Sequence, residues 1–112
     1  MGLDVMLKYE VEEGKYLTAY DASVTHNLNT MAEEIGMYGY VWRPDELGVI
    51  KAKELIEHLQ KGINALITNR EHCKKFEPEN GFGTYDDFLK FLIDYLEACQ
   101  EYPNALVEAD RW

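Results

Sequence analysis

Leu3, Val5, Leu7, Tyr9 and Val11 alternate with Asp4, Met6, Lys8 and Glu10 near the start of the chain. A period of two places the first set on one face of an extended strand and the second set on the other. Glu12-Glu13-Gly14-Lys15 follows as a turn, with glycine where a positive φ is cheap. Tyr16 to Val24, rich in Tyr, Thr and Val, reads as a second strand, and the two form a hairpin with one dry and one wet face. A dry sheet face must be covered, and the remaining sequence supplies helices to cover it.

Leu28, Met31, Ala32, Ile35 and Tyr38 fall on one helical stripe. Thr25 or Asn27 is placed to cap it, and Gly36 and Gly39 weaken its end, so the helix is expected to stop near Tyr38. Pro44, with Asp45 and Glu46 behind it, suits the first turn of another helical segment. Ala52, Leu55, Ile56, Leu59, Ile63, Leu66 and Ile67 mark a long helix over roughly 51–68, and 69–76 holds a further short turn. Residues 77–83 are a loop by composition. Thr84, with Asp87 three residues on, caps a last helix whose buried stripe runs from Tyr85 through Phe88, Leu89, Leu92 and Leu96 to Cys99. Tyr102-Pro103-Asn104 ends it, and Ala105 to Trp112 is expected to be a third strand. The order β-β-α-α-α-β predicts an α+β fold: a small antiparallel sheet with three main helices on one face, in a single domain spanning 1–112.

The net charge is −10, and it is unevenly spread. Residues 1–50 hold nine acids against three bases, 51–75 three against six, and 76–112 nine against two. Such a chain repels phosphate at long range, which argues against direct nucleic-acid binding. No stretch approaches the ~18 consecutive apolar residues of a membrane span, and the N-terminus lacks the basic start and apolar run of a signal peptide. A cytoplasmic protein is expected, in the host cytoplasm if the chain is viral. Cys73 and Cys99 have no zinc-like spacing, and Cys99 lies on an apolar helical stripe, the setting of a buried free thiol.

The residues that look other than structural stand at element ends. His26 sits where the second strand hands over to the first helix, beside Asn27 and near Asp21. It either ties the helix start to the sheet or contacts a ligand; with Asp21 it makes two donors, too few for a metal. Trp42-Arg43-Pro44 pairs an aromatic face with the only Lys or Arg between Lys15 and Lys51. Arg43 can hold an anion, or it can pair with a nearby carboxylate. Asn80-Gly81-Phe82-Gly83-Thr84-Tyr85 puts a glycine loop before a helix start, without the Gly-Lys-Ser/Thr of a P-loop and with acids in the first turn. Ser23 is the only serine and has no nucleophile-elbow motif around it, so no catalytic residue, metal or cofactor is assigned.

Thr25-His26-Asn27, Trp42-Arg43-Pro44, the Pro-x-Asn-Gly-x-Gly-x-Tyr run from Pro78 to Tyr85, and Tyr95 to Cys99 followed by Tyr102-Pro103 resemble small proteins of tailed phages, prophages and bacteria. The resemblance covers the chain from about residue 20. It implies a setting, that of accessory factors including inhibitors of host defence, and it implies no reaction. Three functions are expected in order. The first is a non-enzymatic binding protein that takes a small polar or nucleotide-like ligand on His26, Asn27, Trp42, Arg43, Asn80 and Tyr85 and so interferes with host defence. The second is an acidic inhibitor that blocks a basic host-protein surface. The third is a small hydrolase or transferase using His26.

Overall fold

The N-terminal alternation does what its period requires. In a computed structural model describing residues 1–112, strands β1 (Gly2–Glu12) and β2 (Lys15–Thr25) pair antiparallel around Gly14, whose φ is +78°. Leu3, Val5 and Leu7 are fully buried on one face. Strand β3 (Leu106–Arg111) pairs antiparallel with β1, which makes β1 the centre of a three-stranded sheet in the order β2-β1-β3. This is the α+β architecture expected, with the N-terminal hairpin, the C-terminal strand and the helices between them.

The first helical region differs from the expectation. A 3-10 turn over His26–Leu28 leads into α1 (Asn29–Glu34), which stops at Gly36 rather than near Tyr38. Gly36 adopts φ +73°; its N–H reaches the Glu33 carbonyl and the N–H of Met37 reaches that of Ala32. This pair of bonds satisfies carbonyls a helix end leaves open, so the glycine is a stop signal and not merely a weak point. A new short helix, α2 (Tyr38–Trp42), then carries Val41 and Trp42 inward.

Pro44–Leu47 is a 3-10 turn with proline at its start, closed by Gly48 in the left-handed conformation. A second 3-10 turn, Ala52–Glu54, precedes α3 (Ile56–Thr68), so the long helix begins later than expected. The Glu54 carboxylate accepts the backbone N–H groups of Ile50 and Lys51, which lowers its pKa. Helix α4 (Arg70–Lys74) and the loop that follows lead to α5 (Tyr85–Glu101). Thr84 and Asp87 cap α5 reciprocally at 3.1 and 3.2 Å. Tyr85, Phe88, Leu92, Tyr95 and Cys99 are its buried stripe, packed between α3 and the sheet. Cys73 and Cys99 are both free and buried.

Candidate functional site

The Thr25-His26-Asn27 corner is where distant parts of the chain meet. The His26 N–H reaches back to the Met1 carbonyl, and the Asn27 side-chain amide reaches the Phe82 carbonyl at 3.5 Å. Gly83, at φ +100°, lies so close that a Cβ there would come within 2.6 Å of the Thr25 methyl. The His26 ring stands edge-on to Trp42 with centroids 6.4 Å apart. The Trp42 carbonyl accepts Arg111 Nη1 at 2.7 Å. The histidine, tryptophan and glycine-loop clusters therefore do meet in space.

They meet as packing, however, and two of the expected ligand residues need correction. Trp42 is 0% exposed: its ring stacks on Tyr38 and lies against Phe88, leaving no face on which a ligand could stack. Tyr85 is 1% exposed, and its hydroxyl donates to the Leu66 carbonyl at 2.6 Å, where α3 nears its end. Burial raises the pKa of this phenol, which keeps the hydroxyl a donor. Arg43 is satisfied within the chain, by Glu46 at 2.8 Å and the Tyr38 hydroxyl at 3.1 Å, and both contacts favour its charged form. Asn80 accepts the Phe82 N–H at 3.0 Å, an Asx turn that shapes the loop. His26 is half-buried in the corner. Arg43 and Asn80 keep exposed surface, but of the six only Asn27 lines the open space beside the corner.

That space is a groove of about 660 Å³ on the other side of the corner. One wall is β2, through Tyr20, Ala22 and Val24; the other is α5, through Asp87, Lys90, Phe91 and Asp94. Residues 87, 90, 91 and 94 share one helical face, which sets them along the strand. Phe82 stands at the mouth, 71% exposed. Lys90 pairs with Asp94 at 2.6 Å, which raises the lysine's pKa. No group of three or more His, Cys, Asp or Glu side chains is arranged to hold a metal ion. Sequence reasoning passed over this groove because the polar residues of α5 look like an ordinary wet face. The one available signal was Phe91, an aromatic outside the main buried stripe.

The second feature is the sheet face turned away from the helices. Alternation and register place Asp4, Asp110 and Ser23 side by side there, then Met6, Glu108 and Asp21. Lys8 is the basic residue of this face, and Glu108 holds it at 2.8 Å. The Ser23 hydroxyl donates to Asp4. Asp4 and Asp110 are directly opposed on paired strands, an arrangement that costs sheet stability. No family model, curated protein or solved structure matches this chain.

Proposed function

We propose that this chain is a non-enzymatic binding protein that engages a basic surface of another protein, through the acidic face of its sheet. The observation that carries the reading is the carboxylate row Asp4, Asp110, Glu108 and Asp21 on a face that no helix covers. Within the row, Asp4 and Asp110 oppose one another across paired strands, which weakens the sheet, and a cationic partner would relieve that repulsion. In the phage and prophage setting implied by the sequence resemblance, the partner is a host protein and the outcome is its inhibition. The reading built on a small ligand at Trp42 has lost its stacking platform, and catalysis by His26 gains no support from a ring set edge-on against Trp42.

The test is direct. A partner captured from host extract on the immobilised chain is purified, and its affinity is measured for wild type and for the triple variant Asp21→Lys, Glu108→Lys, Asp110→Lys. The residues are on exposed strand positions, so the variant is expected to fold, with unchanged circular dichroism. Binding should weaken at least 100-fold, about 2.7 kcal/mol or more. A folded triple variant with wild-type affinity would remove the acidic face from the function.

A further inference from the structure

The two edges of the sheet are not equivalent. Hydrogen bonds link Gly2 with Trp112 in both directions, and His26 N–H with the Met1 carbonyl. Together with the register, these fix the ladder: Leu3, Val5 and Leu7 bond toward β2, while Asp4 and Met6 bond toward β3. The N–H and C=O groups of Val107 then point outward from β3, and the Val107 N–H is taken by the Ile50 carbonyl. Lys51 bridges to Leu106 beside it, so that edge is partly capped by the chain itself. On β2 the outward groups belong to Asp21 and Ser23, and β2 has no strand neighbour but β1.

The open β2 edge is also one side of the groove, whose opposite side is α5. An added strand would find backbone partners at Asp21 and Ser23 and an apolar floor at Ala22 and Phe91. It would meet Asp21 on the outer face, and on the inner face Asp87 and Asp94 with Lys90 between them, bound to Asp94. Strand addition takes its affinity from main-chain bonds and its selectivity from alternate side-chain positions. The outer position favours a cation at Asp21, and the inner positions favour one at Asp87, the carboxylate that Lys90 does not hold. A second copy of this chain is a poor occupant, since each carries a net charge of −10.

We infer that the β2 edge and its groove bind an extended basic segment of a partner protein as a fourth strand of the sheet. This rests on the reading of the chain as an acidic protein-binding domain and names the mode of contact. The probe is an octapeptide of alternating Lys and Val, added at low salt to the isotopically labelled chain, with amide hydrogen exchange followed residue by residue. The Asp21 and Ser23 amides should exchange at least tenfold more slowly with saturating peptide. Ser23→Pro removes an outward donor without touching the ladder to β1 and should weaken binding at least tenfold, whereas Ser23→Ala should stay within about twofold. Should Ser23→Pro fail to fold, the octapeptide N-methylated at every residue serves instead: it keeps charge and side chains, and it should not bind.

Several results would overturn the inference. One is peptide binding that leaves Asp21 and Ser23 unprotected, or that survives methylation; the acidic-face reading would then still stand on its own variant test. Absence of peptide binding would overturn it as well. Protection that rises with protein concentration alone would assign the edge to a second copy. Adenosine monophosphate shifting Asn27 and Phe91 without amide protection would assign the groove to a small ligand.

Discussion

Two tyrosines on α5 show how a single atom decides the sign of a substitution. Tyr85 and Tyr95 are both buried, but the Tyr85 hydroxyl has the Leu66 carbonyl and the Tyr95 hydroxyl has no partner. Tyr85→Phe should destabilise the fold by about 1 kcal/mol, the usual net worth of such a bond. Tyr95→Phe removes a buried polar group that lacks a bond and should leave stability unchanged or raise it. Urea denaturation of the two variants checks the contrast. Gly62 gives a third case. The sequence shows only a poor helix former inside α3, but a Cβ there would stand 2.5 Å from the Met37 Cγ, and Met37 is itself buried. Gly62→Ala gains up to about 1 kcal/mol in helix propensity and loses about 1–3 to overpacking. A net loss of stability is expected, and a stabilised variant would show that Met37 gives way. Burial pushes the Cys99 thiol up to about 12, so it should resist alkylation at pH 8 in the native protein and react once the chain is unfolded.

At the scale of elements, what was legible was local. The hairpin was written in a period of two and a turn glycine, and α5 in the Thr84–Asp87 cap and its apolar stripe. The break at Gly36 was harder, because a glycine in a helical pattern reads equally as a tolerated residue or as a stop. The bonds Gly36 to Glu33 and Met37 to Ala32 decide it, and they exist only once the chain has turned. Gly36→Ala should cost about 1–2 kcal/mol, the penalty of a left-handed L-residue, although nothing lies near its Cβ. The thermal midpoint reads this directly. Helix α2 was invisible because its five residues are too few for a periodic signal. Its consequence was large: α2 turns Trp42 inward, and the ring that looked like a ligand platform became part of the core.

For the whole molecule, the features that now matter depend on strand order. A sequence can show that a strand has a wet face, but not which strand lies at the edge. Because β3 joins β1 rather than β2, the Asp4–Asp110 opposition arises and the β2 edge stays open beside α5. Fields from exposed carboxylates act mainly on encounter, so partner binding should show its charge in the association rate more than in the dissociation rate. The decisive measurement is that rate with the captured partner, by stopped flow, from about 50 to about 500 mM salt, where screening shortens to a few ångströms. The expected result is a fall of at least tenfold in the association rate with the dissociation rate nearly constant. An association rate indifferent to salt would contradict a function carried by the acidic face.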